Sequence, residues 1–311
     1  MLQVESYKLF VGFITYGDAS FKYLPFFLES LENQSFKDFS IIAFDNSEND
    51  NRNSDFLIDE YPKLKLIKSE KNIGFSRAYN KMIAMAEKSG AEYFMALNPD
   101  IVLDVDAISK MMKVMQEDKN IASLSPRIMS WDFENKKKTK IIDTCGIKLG
   151  KGLRFSDLGQ GEEGLDEKKI NIIGPSGAVA LYRIDALKKV SENNLFFDEK
   201  MFMYKEDCDL AYRLFLSGFK SRCVFDAIVH HDRTAKIIKG LNILKERQSK
   251  SKKVREWSFL NQHIIYLKYW NKQKLTSKII ILYDVLKMFL FVLFFERFLL
   301  RQYKILLRIR R

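Results

Sequence analysis

The sequence is poor in cysteine, and this excludes two common ways of stabilising a small fold. Cys145, Cys208 and Cys223 are the three cysteines among 311 residues, an odd number at wide spacing. Neither a disulfide framework nor a zinc ribbon fits that pattern, and a reducing compartment is expected. A composition that is 47% apolar and 30% charged predicts one large or two modest domains around a hydrophobic core.

The sequence also lacks a recognisable secretory leader and a long uninterrupted apolar run. Its first residues do not combine a basic segment, an apolar segment and a cleavage site, so secretion is not expected. The most apolar stretch, residues 279–300, is interrupted by Asp284, Lys287, Glu296 and Arg297. Its uninterrupted length is well below the roughly 20 residues that cross a bilayer.

Residues 279–300 are better suited to an amphipathic helix that lies on an anionic membrane surface. The alternative is a C-terminal helix that packs on the domain or forms a dimer contact. The predicted location is therefore cytoplasmic, peripheral on the inner face of the plasma membrane.

The net charge of +12 is compatible with nucleic acid, anionic lipid or a polyphosphate substrate as the partner. Much of the positive charge lies late, in residues 236–255 and 297–311. A nucleic-acid-binding protein would interleave basic and aromatic residues on one surface, whereas here the basic excess follows a lipid-like apolar segment. We therefore expect no nucleic acid partner, and divide the chain into a catalytic domain, 1–240, and a basic amphipathic helical region, 241–311.

The first hundred residues alternate between strand and helix patterns. Short apolar runs at 9–14, 39–44, 65–67 and 93–97 predict strands buried on both faces, and helical spacing appears between them. This alternation is typical of an α/β fold with a mostly parallel, doubly wound sheet. Residues 130–169 predict loops and a small hairpin, residues 170–183 return to strand character, and 223–229 predict another strand.

Polar residues follow three of these strands, and parallel sheets bind ligands beyond the carboxyl ends of their strands. The three clusters, which one crevice could collect, are Thr15-Tyr16, Asp45-Asn46-Ser47 and Asn98-Pro99-Asp100. Asp100 could hold a divalent cation, Mg²⁺ or Mn²⁺, that bridges two phosphates. Asp45 and Asn46 could accept hydrogen bonds from a nucleobase or ribose, although an ordinary turn or a helix N-cap explains either cluster taken singly.

A glycine turn into a helix lies at residues 72–80. Asn72 and Gly74 open the turn, and Arg77 and Asn80 follow on the helix. Backbone amides at a helix N-terminus together with a guanidinium suit a phosphate group, which predicts a phosphate contact here.

Carboxylates are densest in residues 197–210. Glu206, Asp207 and Asp209 could include a general base that takes the proton of an acceptor hydroxyl, with Tyr204 beside them on the acceptor side. The alternative is a helix with acids in its first turn, an arrangement that the helix dipole favours.

Two of the three histidines, His230 and His231, follow the last predicted strand. Imidazole can complete a metal site that a carboxylate begins, so both are candidate ligands beside Asp100.

Taken together, these segments resemble family-two glycosyltransferases of the GT-A fold, in the bacterial branch that is rhamnosyltransferase-like. The resemblance covers roughly residues 8–235. It rests on Thr15-Tyr16, the Ser-Leu-x-x-Gln pattern that ends at Gln34, Asp45-Asn46-Ser47, residues 72–80, residues 97–100, Ser176-Gly177-Ala178, Glu206-Asp207-x-Asp209 and His230-His231.

The resemblance implies roles for individual residues. Thr15, Asp45 and Asn72 would line the nucleotide pocket, Asp100 would bind Mg²⁺ or Mn²⁺ on the donor diphosphate, and Asp207 would be the catalytic base. His231 would be a further metal ligand, preferred to His230 by its spacing from Asp207. The pattern departs at Gly17, where an asparagine is common, and at Arg233 and Ala235, where a small residue and a serine are expected.

The expected activity is inverting, metal-dependent transfer of a sugar from a nucleoside-diphosphate sugar, with dTDP-rhamnose or a UDP-sugar as candidate donors. The acceptor would be lipid-linked or a cell-surface polysaccharide. A nucleotidyltransferase is the main alternative enzyme, but it would carry a glycine-rich, basic phosphate loop after its first strand. Thr15-Tyr16-Gly17-Asp18 offers no such loop.

Overall fold

The computed structural model describes residues 7–233, residue 247 and residues 250–309. The strands are β1 (Leu9–Thr15), β2 (Phe39–Asp45), β3 (Lys65–Lys68), β4 (Tyr93–Leu97), β5 (Ile101–Leu103), β6 (Ile121–Asp132), β7 (Lys137–Thr144), β8 (Ile147–Gly150), β9 (Arg154–Asp157), β10 (Val179–Arg183) and β11 (Lys220–His231). The α-helices are α1 (Gly17–Phe21), α2 (Leu24–Glu32), α3 (Arg52–Glu60), α4 (Gly74–Lys88), α5 (Ala107–Glu117), α6 (Ile184–Lys189), α7 (Glu206–Leu216), α8 (Lys252–Tyr269), α9 (Leu275–Phe295) and α10 (Leu300–Ile309).

Strand β1 lies inside the sheet because its side chains are apolar on both faces. Leu9, Val11 and Phe13 point into one hydrophobic core, and Phe10 points into the other. Gly12 leaves room for the Phe94 ring on the neighbouring strand, since a Cβ at this position would lie 2.3 Å from Phe94 Cζ. The alternation of side chains along a strand therefore feeds two layers of helices, one on each face.

The main sheet runs in the order β3-β2-β1-β4-β10-β6-β11-β5, with β7 paired to β6. The pairs from β3 to β4 are parallel, as the strand and helix alternation predicts. Beyond β4 the sheet is mixed: β10 is antiparallel to both of its neighbours, β5 and β7 are antiparallel edges, and β6 pairs with β11 in parallel. The prediction of a mostly parallel sheet therefore holds for strands β1 to β4, whereas the rest of the sheet is mixed.

Residues 130–169 contain more strand structure than the sequence predicts. Strand β6 continues to Asp132, β7 follows it, and β8 with β9 forms a separate two-stranded hairpin. In contrast, strand structure in 170–183 is confined to β10. Hydrogen bonds between distant segments, such as Ile147 N–H to the Gly174 carbonyl (2.7 Å), decide these boundaries.

The C-terminal helices pack on the part of the chain that precedes them. One hydrophobic cluster joins Leu153 of the β8–β9 hairpin, Tyr212 of α7, Ile265 of α8 and Ile281 of α9. Arg154 of the hairpin also forms an ion pair with Asp284 of α9. The predicted boundary near residue 240 lies outside the described residues, but the helices beyond it share a core with the residues before it. Among the described helices, none is both long and apolar enough to span a membrane.

Candidate active site

The ends of β1 and β2 form the floor of the predicted nucleotide pocket. The Thr15 hydroxyl donates to Asp45 Oδ1 (2.9 Å), and the Ser47 N–H donates to the same oxygen (3.0 Å). Thr15 and Asp45 are fully buried, whereas the neighbouring Tyr16 is exposed. The buried pair thus fixes the two strand ends, and Tyr16 is the member of this cluster that is open to a ligand.

The turn into α4 is built around Gly74, as predicted. Asn72 Oδ1 accepts from the Gly74 N–H (2.9 Å), and Asn46 Oδ1 accepts from the Ile73 N–H (3.2 Å). Gly74 has φ +83°, and a Cβ there would lie 2.5 Å from the Phe202 carbonyl oxygen. The turn therefore requires glycine both for its backbone conformation and for its close approach to Phe202.

Arg77 and Asn80 lie on α4 but are engaged by a different part of the chain. Arg77 Nε lies 3.3 Å from Glu199 Oε2. The Asn80 amide binds backbone on both sides: its nitrogen donates to the Phe197 carbonyl (2.9 Å), and its oxygen accepts from the Phe197 N–H (2.8 Å). In this structure Asn80 holds the segment before α7, and neither side chain contacts the Asn98–Asp100 turn.

The donor-side turn and the acidic helix meet at Gly177 and Ala178. The Asn98 N–H donates to the Ala178 carbonyl (2.9 Å), while the Gly177 N–H donates to Asp207 Oδ2 (2.9 Å). Two consecutive residues therefore bridge the turn that carries Asp100 and the carboxylate of Asp207. This contact brings together the predicted donor and acceptor sides of one crevice.

Asp100 lies beside His231. His231 Nε2 is 3.3 Å from Asp100 Oδ1, and His231 Nδ1 is 2.8 Å from Asp143 Oδ2. Burial disfavours the charged imidazole, but Asp100 and Asp143 outweigh burial and raise the pKa of His231 to about 10. Burial likewise opposes ionisation of Asp143, yet His231 and Arg233 lower the pKa of Asp143.

His230 points away from this group, because successive residues of a strand face opposite sides of the sheet. Its Nε2 lies 3.4 Å from Asp104 Oδ1. Burial and the charge of Lys138 lower the pKa of His230 to about 4. Of the two histidines, His231 is the one that the structure places next to Asp100.

The three acids of the first turn of α7 have different surroundings. Glu206 is buried and its Oε2 has no hydrogen-bond partner, so burial, followed by the charge of Asp207, raises the pKa of Glu206 well above its usual range. Asp207 is half-buried, with Oδ1 accepting from the Cys208 N–H (2.7 Å). Asp209 is fully buried and accepts from Tyr269 (2.7 Å) and Arg213 (2.9 Å). Asp209 therefore links α7 to α8. Because these partners occupy its carboxylate, the acceptor contact predicted for Asp209 is not supported.

Tyr204, the other predicted acceptor-side residue, is exposed just before α7. Partial burial, followed by the charge of Glu206, raises the pKa of Tyr204.

The sequence profile described as Glycosyl transferase family 2 matches residues 11–191, more than half of the chain. The chain belongs to glycosyl transferase family 2. The matched range includes β1, β2, the Gly74 turn, Asp100 and Gly177 of this glycosyltransferase.

Individual relatives agree with this assignment. The glycosyltransferase is 25% identical over 225 residues to the N-acetylglucosaminyl-diphospho-decaprenol L-rhamnosyltransferase of Mycobacterium tuberculosis, which covers 67% of this chain and 72% of that protein. Its fold is similar to that of the mannosyltransferase PcManGT from Pyrobaculum calidifontis, solved with GDP-Man and Mn²⁺, with a TM-score of 0.55, 13% identity and coverage of 95% of this chain and 72% of that one.

A second solved structure, GalNAc-T7 with UDP, GalNAc and Mn²⁺, gives a TM-score of 0.56 at 13% identity. The match covers 72% of the glycosyltransferase and 44% of the GalNAc-T7 chain, so less than half of that larger protein is represented here. These likenesses establish the predicted GT-A fold.

The side chains around Asp100 that could ligate a metal fit a divalent cation. Asp100 Oδ1 is buried without a hydrogen-bond partner and faces His231 Nε2. Two neighbouring ligands of an octahedral ion, each roughly 2.1 Å from it, lie roughly 3 Å apart, which is close to the observed separation. Among the described residues no group of three or more metal-ligating side chains occurs. Asp100 and His231 are thus suited to hold a cation that also takes phosphate or water oxygens, provided that His231 gives up its Nε2 proton, which Asp100 and Asp143 favour when no cation is bound.

Two parts of this site were not predicted from the sequence. Asp143 at the end of β7 holds His231, and Arg233 bonds both Asp143 (3.0 Å) and Asp157 (2.7 Å). In the sequence, Asp143 could have been recognised as a carboxylate that directly follows the apolar pair Ile141-Ile142. Arg233 departs from the family pattern and has two carboxylate partners in the structure, whereas Ala235 lies outside the described residues.

Proposed function

We propose that this glycosyltransferase catalyses inverting transfer of a sugar from a nucleoside-diphosphate sugar to a lipid-linked or cell-surface polysaccharide acceptor. The observation that carries the proposal is the bridge at Gly177 and Ala178, which joins the Asn98–Asp100 turn to the Asp207 carboxylate. A donor bound at the strand ends would therefore present its anomeric carbon near a base. The family match favours sugar transfer over nucleotidyl transfer and over nucleic-acid binding.

Asp207 is our proposed general base. Backbone N–H groups of Gly177 and Cys208 each donate to one of its oxygens, which orients the carboxylate while leaving lone pairs for an acceptor hydroxyl. Glu206 is a poor base because burial raises its pKa and so favours the protonated carboxyl. Removal of the hydroxyl proton by Asp207, on the face opposite the leaving diphosphate, permits one in-line displacement with inversion.

Asp100 and His231 would hold Mg²⁺ or Mn²⁺ on the donor diphosphate. The cation would neutralise negative charge that develops on the departing nucleoside diphosphate. Asp143 accepts from His231 Nδ1 and thereby presents Nε2 to the Asp100 side.

The nucleotide would lie over Thr15, Asp45 and the Gly74 turn. Tyr16 is exposed there and Asn72 is half-buried, so both can meet a base or ribose, whereas Asn46 acts through the turn that it holds. Candidate donors are dTDP-rhamnose and UDP-sugars. The similarity to a rhamnosyltransferase named for a diphospho-decaprenol acceptor supports a lipid-linked acceptor.

We further propose that the protein is peripheral on the inner, cytoplasmic face of the plasma membrane. The support is an apolar face of α9, defined as Leu275, Ile279, Leu282, Leu286, Leu290 and Leu293, all of them exposed. These residues are three or four apart and so share one side of the helix. Lys287 is exposed on the same helix and suits anionic lipid headgroups.

A matched pair of neighbouring variants tests the assignment of the base. Asp207→Asn should lower kcat for transfer by about 10²- to 10⁴-fold while binding UDP- or dTDP-sugars normally, because it removes the proton acceptor alone. Glu206→Gln should keep most of the wild-type kcat, since the amide resembles the protonated acid. Transfer rates and calorimetric donor binding would be measured with Mn²⁺ present. Full transfer by Asp207→Asn would remove Asp207 from this role, and a wild-type protein inactive on all such donors would defeat the proposed function.

A further inference from the structure

The segment just before α7 has an unusual backbone. Tyr204 and Lys205 both lie in the left-handed region, with φ of 70° and 72°, and neither is glycine. Lys205 is the N-cap of α7, so this pair of residues sets where Glu206 and Asp207 begin the helix. Consecutive non-glycine residues in this region are disfavoured by their Cβ atoms and persist only when other contacts hold them.

A side chain from the C-terminal helix supplies such contacts. Asn261 on α8 is buried, and its Nδ2 donates to the Met203 carbonyl (3.0 Å) and the Tyr204 carbonyl (2.6 Å). One helical turn earlier, Trp257 stacks on Phe202 with ring centroids 4.9 Å apart. Helix α8 therefore contacts three consecutive residues, 202–204. The last of them, Tyr204, is the first residue of the left-handed pair, and Lys205 follows it directly.

The other side of the same segment rests on the donor side of the site. The Phe202 carbonyl accepts from the Phe75 N–H (2.8 Å), and the Ser76 hydroxyl donates to the Met201 carbonyl (2.6 Å). Both partners belong to the first turn of α4. The 201–205 segment is thus held between the donor-side turn and α8, and Asn261 is the buried polar side chain that binds it from α8.

We infer that Asn261 is a positioning residue for Asp207: its two hydrogen bonds stabilise the left-handed turn at Tyr204-Lys205 that places the Asp207 carboxylate on Gly177. The inference rests on the proposed function of Asp207 as base. In this inference the C-terminal helical region helps to position the proposed base, in addition to its proposed role at a membrane.

The inference predicts a specific rescue. Asn261→Ala should lower kcat about ten-fold or more, because the turn loses the contacts that offset its strain, while donor affinity stays unchanged. Adding Lys205→Gly should restore much of the lost kcat, since glycine adopts the left-handed conformation without the steric cost. Lys205→Gly alone should leave kcat near the wild-type value.

Gln262→Ala is the matched control, because Gln262 is the next residue on α8 and donates to the Leu153 carbonyl (3.1 Å) instead of to the turn. It should leave kcat unchanged. Asn261→Ser, which keeps one hydroxyl donor, provides a milder variant if the alanine variant does not fold. Unfolding midpoints of all variants would be measured so that rates are compared on folded protein.

The outcomes separate this inference from the proposed function. Unchanged kcat in Asn261→Ala, or a loss that Lys205→Gly fails to reverse, would overturn the positioning role while wild-type transfer stands. If the wild-type protein transfers no sugar, amide hydrogen exchange still tests the turn. Residues 203–208 should exchange faster in Asn261→Ala and slow again in the double variant, and equal exchange rates would overturn the inference.

Discussion

Asp143 contacts His231, which lies 88 positions later in the chain, and its proposed role depends on this contact. Its Oδ2 accepts from His231 Nδ1, and its Oδ1 accepts from Arg233. In the proposed metal site His231 would lose its Nε2 proton to the medium and coordinate through Nε2, while Asp143 would keep the Nδ1 proton in place and fix the ring. The proposed site would therefore comprise two ligands, Asp100 and His231, and one orienting carboxylate, Asp143.

Asp143→Asn should weaken Mn²⁺ binding by about 10- to 100-fold, because an amide in this position no longer enforces the His231 orientation. Free Mn²⁺ would be measured by electron paramagnetic resonance in the presence of a nucleoside diphosphate. Asp157→Asn is the control, since Asp157 bonds Arg233 and not His231. Equal Mn²⁺ affinity in the wild type and Asp143→Asn would contradict this role.

Glu206 and Asp207 show how neighbouring acids acquire different chemistry. Both are in the first turn of α7, where the helix dipole favours negative charge. Glu206 points into a buried site and Asp207 toward two backbone N–H groups. The sequence predicted a base in this turn. We propose Asp207 rather than Glu206 because the two acids differ in burial, which depends on the packing of α7.

At the scale of elements, α4 joins the donor side to the segment ahead of α7. Its first residue, Gly74, touches the backbone and ring of Phe202, and the next residue donates to the Phe202 carbonyl. The glycine was predicted as a phosphate-binding turn. The structure adds that the same glycine permits contact between two functional segments.

Gly74→Ala should destabilise the fold by about 1–2 kcal/mol from the left-handed backbone alone, with a further loss from the clash with Phe202. Gly218→Ala measures the backbone contribution, because Gly218 has a similar φ of +79° and nothing within 4 Å of its Cβ position. Chemical denaturation would give both free energies of unfolding. The loss at Gly74 should exceed that at Gly218, and the KM for donor should rise only in Gly74→Ala. Equal losses would mean that the Phe202 contact relaxes freely.

At the scale of the whole molecule, α9 has two apolar sides, one buried against the rest of the chain and one exposed. Ile281 and Val292 are buried against the body, and Asp284 is paired with Arg154. The opposite side is the exposed apolar face already defined. Both interpretations offered by the sequence, a helix packed on the domain and a helix at a membrane surface, can therefore describe the same element.

Replacing Leu282 and Leu286 by glutamate should abolish most binding to vesicles that contain anionic phospholipid, because two apolar contacts are lost and like charge is added. Donor hydrolysis should remain, since both side chains are exposed and outside the crevice. Ile58→Glu is the control, because Ile58 on α3 has the same 57% exposure as Leu282. Vesicle co-sedimentation gives the readout, and undiminished binding would defeat the membrane proposal. Point substitutions are preferable to deletion of 275–311, which would uncover the shared core.

The sequence by itself determined the parallel strands β1 to β4 and the polar residues at their ends, because strand periodicity and turn chemistry are local. It also determined that acids open α7. Only the tertiary structure decided which of those acids is open: Asp209 is closed by Lys268 and Tyr269, which lie 59 and 60 residues later. Likewise, alternation predicts that His230 and His231 face opposite ways, but the sheet order places Asp100 beside His231. Burial and long-range pairing set these roles, and neither is encoded within a short window of sequence.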